Sequence, residues 1–281
     1  MKRVFVYLVI TVLLWGCASD SELVAFDSAS YYTIAWISDT QNLVDHQNDA
    51  FESMMIYLKN NQQKEDIRFL IHTGDVINIY SIESQWQNAR KAFDIIEDKI
   101  DHSIIAGNHD LANDNKYFIE YFGKQDNMTY DNGLASADIV EGDKLKYLII
   151  SLSYDPSDEM LNWANKMIMD HPDKIVIVNT HSYLNIDGSL TAIGENIYQK
   201  LISKHDNIRL VLCGHIHGIY SGINNDVISL LCDYQQDDSA YIRLLRIDED
   251  SKRLDVISYD PFVNKYDETN NSSFDISCWF K

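Results

Sequence analysis

Between residues 31 and 218 the chain repeats one device, a short apolar run that ends in a loop bearing metal-ligand side chains. Tyr31–Ile37 runs into Ser38-Asp39-Thr40-Gln41, Ile67–Ile71 leads to Gly74-Asp75, and Ser103–Ala106 meets Gly107-Asn108-His109-Asp110. Ile175–Val178 precedes Thr180-His181, and Ile208–Leu212 precedes Gly214-His215-Ile216-His217-Gly218. Short apolar runs bounded by such loops are the pattern of buried strands. Strand ends that share a rim restrict the chain to a layered α/β architecture with its chemistry on the loops. Aspartates, histidines and an asparagine gathered there offer mixed oxygen and nitrogen shells. Such shells suit two divalent metals, and two metals suit cleavage of phosphate esters.

Helical signals lie between the strands. Phe51, Met54, Met55 and Leu58 recur at helical spacing, as do Trp86, Ala89, Phe93 and Ile96. The Met54/Met55 pair and Trp86 read as core residues. Tyr147–Leu152 is a further buried strand, and helices are expected near Glu159–Met169 and Glu195–Ser203. The last quarter differs, because Val227–Cys232, Ala240–Ile247 and Arg253–Ser258 follow one another without helices. Asp248-Glu249-Asp250-Ser251 supplies a hairpin turn between the last two. The economical expectation is that these strands form a second, largely antiparallel sheet closing onto the first. No repeat, linker or low-complexity tract interrupts residues 31–281, which are expected to form one catalytic domain.

The formal net charge of −20 excludes a nucleic-acid scaffold binder, since no basic stripe exists to neutralise phosphates. It also means that attraction for a phosphate must come from locally bound cations. Residues 1–17 read as an export signal, with Lys2 and Arg3 ahead of an apolar Val4–Leu14. Leu14-Trp15-Gly16-Cys17 resembles a bacterial lipobox, which implies lipidation of Cys17; residues 18–30 would then be a polar tether. The expected location is the extracytoplasmic face of a membrane. Of the remaining cysteines, Cys213 reads as a small core residue, and spacing does not establish a Cys232–Cys278 disulfide.

Each motif alone has an ordinary explanation. Gly-Asp is a common turn, Asn108 suits a turn, and His181 could be a satisfied strand-end histidine. Their joint order carries more. Gly-Asp, Gly-Asn-His-Asp, a lone histidine after a strand and Gly-His-x-His together resemble the calcineurin-like metallophosphoesterase family, over Asp39 to His217. Asp233-Tyr234-Gln235 and Tyr259-Asp260-Pro261 resemble an extracytoplasmic lipoprotein branch of that family.

The resemblance implies a four-layer αββα sandwich built on two mixed β-sheets. It implies a first metal held by Asp39, Asp75 and His217, with Asp75 bridging to a second held by Asn108, His181 and His215. Manganese is the favoured pair, with iron, zinc, magnesium or calcium as alternatives. Hydrolysis of phosphomonoesters or phosphodiesters would proceed by in-line attack of a hydroxide bridging the two metals. His109 would assist the leaving group, and Asp110 would orient His109.

Gln41 departs from the pattern, which has histidine there. Its amide oxygen remains a candidate ligand, harder than imidazole, and biases the first site toward Mn²⁺, Mg²⁺ or Ca²⁺ over Zn²⁺. His46 is a possible substitute, though a solvated position suits it better. His72 reads as a packed strand residue. Asn78 is a candidate for binding phosphate or a metal-bound water, and Tyr80, Tyr183 and Tyr220 are candidates for the substrate rim. The rival reading is a non-catalytic surface lipoprotein that keeps the fold, has a degenerate first site, and binds a glycan, lipid headgroup or protein.

Overall fold

Alternation along the strands decides which side chains meet in which layer. In β1 (Tyr32–Ile37), Tyr32, Ile34 and Trp36 enter one core while Ala35 and Ile37 enter another. β6 (Lys146–Leu152) repeats the split, with Tyr147 and Ile149 on one face and Leu148 and Ile150 on the other. Period-two strands buried on both faces belong to a layered molecule, one face against a second sheet and one against helices. The computed structural model describes residues 30–235 and 239–281. The expected signal, with Lys2, Arg3 and Cys17, and residues 18–29 of the expected tether lie outside the described residues. Among the described residues, no helix is long and apolar enough to cross a membrane.

Two seven-stranded mixed sheets form among the described residues. In the first, β1 pairs in parallel with β2 (Ile67–His72), and β2 with β3 (His102–Ile104). In the second, β4 (Thr129–Tyr130), β5 (Ala135–Glu141) and β6 form an antiparallel run. It continues in parallel through β7 (Ile175–Thr180) and β8 (Ile208–Cys213). The inner faces meet in a core containing Ile34, Trp36, Ile149, Ile177, Leu212 and Leu245. Each buried Ile or Leu there contributes about 1.5–3 kcal/mol of transfer free energy.

The helices supply the outer layers. α1 (Gln41–His46), α2 (Asn48–Asn61) and α3 (Glu83–Phe93) bury Phe51, Met54, Met55, Leu58, Trp86 and Phe93, and α4 (Lys116–Phe122) adds Phe118. α5 (Asp158–Met169) begins where the Ser157 hydroxyl accepts the Met160 amide, and buries Leu161, Ala164 and Ile168 at helical spacing. α6 (Ala192–Lys200) is capped likewise by Thr191.

The expected separate antiparallel sheet of the last quarter is not what forms. β9 (Gly218–Asn224) and β10 (Val227–Asp233) extend the second sheet, with β10 parallel to β8. β11 (Ile242–Asp248) pairs antiparallel with β1, and β12 (Arg253–Asp260) extends the first sheet. β13 (Lys265–Tyr266) and β14 (Ser272–Asp275) both pair with β12. Without these additions β1 and β8 would each present unpaired backbone at a sheet edge, and sharing the strands covers both. The hairpin turn forms as expected, with Asp248 accepting the amides of Asp250 and Ser251, each at 2.9 Å. Cys213, Cys232 and Cys278 are free thiols.

Candidate metal centre

The loops after β1, β2, β3, β7 and β8 meet at the carboxyl ends of their strands, where the two sheets are sewn together. Asn179 Nδ2 donates across the sandwich to the His72 carbonyl at 3.3 Å, and Ser151 bonds Ser103 at 3.0 Å. The Thr73 carbonyl lies 2.8 Å from His181 Nδ1. A carbonyl can only accept, so Nδ1 keeps its proton and Nε2 faces the centre, where it offers a lone pair once the second proton is shed. From there Nε2 is 3.4 Å from Asp75 Oδ1 and 3.1 Å from Asn108 Oδ1. Asp75, His181 and His215 each place a donor atom within 4.8 Å of the others.

Asp39 is buried beside them, and both its oxygens accept the His215 amide, at 3.1 and 3.2 Å. Ser38 also donates to it. Asp39, Asp75 and His215 all have left-handed backbone, with φ of 53°, 53° and 71°. Aspartate and histidine tolerate that region better than most residues, and strain of this kind gathers where a site over-determines its geometry. A Cβ on Gly107 would collide with the Asp75 carboxylate, and one on Gly214 with that of Asp39. The close approach of backbone to carboxylate explains the glycine in both motifs.

Gln41 opens α1 and is almost wholly buried. Its Nε2 lies 3.3 Å from Asp75 Oδ2, while its Oε1 has no hydrogen-bond partner among the described residues. An orphaned buried amide oxygen next to buried carboxylates fits a cation position, since a cation would satisfy both. His217 is half-exposed, and its Nδ1 stands 3.4 Å from the Asp233 carboxylate.

The electrostatics match a centre built for positive charge. Burial raises Asp39 well above the ordinary carboxylate range, and the Asp233 and Asp75 charges add to this. Burial also raises Asp233. Burial opposes the Asp75 charge too, but His181 and His109 hold that carboxyl below its usual value. For His181, burial disfavours protonation, yet Asp75 and Asp39 lift it to about 9. Burial, then the nearby His181, lowers His215.

Several expected roles change. Asp110, expected to orient His109, directs its fully buried carboxylate to three backbone amides: Val76 and Ile77 at 3.0 Å and Gly107 at 2.8 Å. It locks the Gly-Asp loop to the Gly-Asn-His loop, and burial with the Asp75 charge raises it to about 7. His109 is held instead by the Asn78 carbonyl, 2.7 Å from its Nδ1. The Asn78 side chain, expected to meet phosphate or a metal-bound water, turns to Asp45 at 2.9 Å. Tyr183, expected on the rim, is 3% exposed and packed in the core.

Tyr80 stacks edge-on against Trp86 rather than over the centre. Tyr220 lies on β9 in a groove of about 620 Å³ shared with α6 residues such as Tyr198. His46 pairs with Asp45 at 3.3 Å and stays largely exposed. His72 is wholly buried, bonds Thr40 at 3.0 Å, and is lowered by burial and by His181 to about 3, which marks a neutral packed residue.

Two neighbours of the centre were given no role there from sequence, Asp233 having been noted only within the Asp233-Tyr234-Gln235 motif. The Tyr154 ring packs on both His181 and His215, at centroid distances of 5.7 and 5.5 Å. Asp233 ends β10 as Asp39 and Asp75 follow β1 and β2, and that shared signal, a carboxylate after an apolar run, could have found it.

Known proteins agree with this architecture. The chain is 28% identical over 277 residues to the uncharacterized protein YvnB of Bacillus subtilis, covering 88% of this chain and 22% of YvnB. It thus spans about a fifth of that relative's length. It is 25% identical over 194 residues to GpdQ of Arcobacter nitrofigilis, named as a probable glycerophosphodiester phosphodiesterase, covering 64% of this chain and 67% of that protein. Among solved structures, Plasmodium GAP50, described as the anchor in the inner membrane complex, superposes with a TM-score of 0.60 at 12% identity. That match covers 88% of this chain and 89% of GAP50. The purple acid phosphatase PPD1 of yellow lupin superposes with a TM-score of 0.59 at 13% identity, covering 88% and 54%. The sequence model of the calcineurin-like phosphoesterases matches residues 32–218, the stretch that contributes Asp39 through His217 to this rim, and the chain belongs to that family.

Proposed function

We propose that this chain is a dinuclear metal-dependent phosphoester hydrolase. The observation that carries the proposal is the meeting of Asp75, His181 and His215 donor atoms within 4.8 Å, with the unpartnered Gln41 Oε1 beside them. Asp39, Gln41, Asp75 and His217 would hold one cation, and Asp75, Asn108, His181 and His215 the other. When bound, two divalent cations supply Lewis acidity and an activated water. The chain's own residues do the rest. Thr73 fixes the His181 tautomer, Asp110 holds two ligand loops in register, and Asn78 leaves His109 Nε2 facing the centre, where the imidazolium form can deliver its Nε2 proton to a departing oxygen and remain neutral with Nδ1 protonated.

The net charge of −20 favours singly charged phosphodiesters over doubly charged monoesters, and the GpdQ relative's name is consistent with that preference. We further propose manganese as the metal, and export with lipid attachment at Cys17 to the outer face of a membrane. Hydrolysis of an aryl phosphodiester and an aryl phosphomonoester by Mn²⁺-loaded protein tests the activity. Asp75→Asn is expected to abolish turnover and to lower metal content. Full turnover in that variant removes the reading.

Gln41, standing where the family pattern has histidine, favours a second reading: a non-catalytic surface protein with an incomplete first site. Metal content separates the two. Two bound ions support the hydrolase, and one or none supports the binding protein.

A further inference from the structure

The first cation position has one imidazole, His217, where the family pattern has two, because Gln41 occupies the place of the other histidine. The fold brings another carboxylate near, beside His217 and close enough for its charge to act on Asp39. Asp233 is the last residue of β10 and pairs across the ladder with Gly218, next to His217. Its carboxylate is 3% exposed, and Oδ2 stands 3.4 Å from His217 Nδ1. The Gln235 amide donates to Oδ1 at 2.8 Å, and Gln235 Nε2 approaches Oδ2 at 3.4 Å, which fixes the rotamer. Asn42, the neighbour of Gln41 on α1, donates to the Gln235 carbonyl at 3.1 Å, so the Asp233 turn is tied to the helix that carries Gln41.

Asp39, Asp75 and Asp233 are therefore three buried carboxylates on one rim. The Gln41 amide oxygen there is 99% buried and has no partner among the described residues. Buried carboxylates repel one another unless a cation lies among them, and an orphaned carbonyl-type oxygen is a donor for the same cation.

We propose that Asp233 is a ligand of the first divalent-cation position, standing in for the missing imidazole. This rests on the metal-site reading above and deepens it. Oxygen donors from Asp39, Gln41, Asp75 and Asp233 would then outnumber the single nitrogen of His217. The position gains one negative charge relative to a histidine-bearing site. A hard, oxygen-dominated shell selects Mn²⁺ or Mg²⁺ over Zn²⁺. The competing role is purely orienting, with Asp233 accepting the His217 Nδ1 proton from outside the shell. Loss of such an outer partner costs roughly 10- to 100-fold in metal affinity.

The test is Mn²⁺ titration of metal-stripped full-length protein by calorimetry, with electron paramagnetic resonance counting bound ions, on wild type, Asp233→Asn and Asp233→Glu. Two ions are expected on wild type. Asp233→Asn is expected to weaken one of them by more than roughly a hundredfold while the other is retained, and Asp233→Glu to recover part of the loss. Asp233→His is expected to restore the ion and shift preference toward Zn²⁺. Two ions on Asp233→Asn, each held within roughly a hundredfold of wild type, overturn the assignment of Asp233 and leave the metal site standing. Fewer than two ions on wild type overturn the two-metal reading and this assignment together. If Asp233→Asn does not fold, the Zn²⁺-over-Mn²⁺ shift in Asp233→His decides, and no shift overturns the proposal.

Discussion

The Asn78 carbonyl accepts the His109 Nδ1 proton at 2.7 Å, which leaves His109 Nε2 4.0 Å from Asp75 Oδ2 at the edge of the metal centre. A main-chain acceptor thus sets the tautomer and direction of the side chain best placed to protonate a leaving group. His109→Ala is expected to lower kcat on an aryl phosphodiester by roughly 10²- to 10⁴-fold. Metal content and melting temperature should stay near wild type, because the ring is partly exposed. Collapse of metal binding in this variant would reassign His109 to the metal shell.

Asp110 should behave in the opposite way. Removing its carboxylate strands three buried amides, those of Val76, Ile77 and Gly107. Each unsatisfied buried donor costs about 1–3 kcal/mol. Asp110→Ala is therefore expected to destabilise the fold by about 3 kcal/mol or more in urea denaturation, with activity lost in step with folding. A stable but inactive variant would return Asp110 to the chemistry.

Protonation of His181 gives the metal-free protein a pH signature. Burial disfavours the imidazolium, but Asp75 and Asp39 raise its pKa from 6.5 to about 9. A raised folded pKa means the contribution is complete below pH 6.5 and is lost as pH rises through about 9. The melting temperature of chelator-treated protein should fall across that window, and Asp75→Asn should flatten the fall. Asp39, raised chiefly by burial, acts in the same direction. Since His181 must shed its proton to bind a cation, Mn²⁺ affinity should rise over the same interval. A pH-independent affinity would remove His181 from the shell.

Far from the centre, Arg246 on β11 and Glu65 ahead of β2 form a buried ion pair at 2.7 Å, where Tyr31 also bonds Glu65 at 3.2 Å. Arg246→Met alone is expected to cost about 3–5 kcal/mol, because it leaves a buried carboxylate uncompensated. The double variant Glu65→Leu with Arg246→Met should recover most of that loss. Additive losses in the double variant would show that packing, not charge, holds this corner.

Gln41→His offers a gain rather than a loss. It supplies the nitrogen donor that the family pattern has, so Zn²⁺ affinity is expected to rise relative to Mn²⁺ in competition titrations. An unchanged Zn²⁺-to-Mn²⁺ ratio would show that position 41 is not in the shell.

The apolar runs and the motifs after them were enough to place β1, β2, β7 and β8 and to single out Asp75, His181 and His215, whose donor atoms meet, with Asn108 and Asp39 in contact with them. Both follow from local pattern, because strand burial and ligand chemistry are properties of the residues themselves. β5 and β9 were harder to see. β5 alternates apolar with polar residues and its Ile139 is exposed, and Gly218 and Gly222 dilute the strand signal of β9.

Tertiary structure alone decided how the last strands were shared between the sheets, since pairing depends on which edges remain open. It decided that Asp110 serves backbone amides, and that Asn78 acts through a carbonyl carrying no side-chain signature. It also set Asp233 beside His217 across a hairpin, a distance of 3.4 Å between residues sixteen apart in sequence. Sequence fixes which groups exist and which strands they follow; the packing of two sheets against each other determines which of those groups meet.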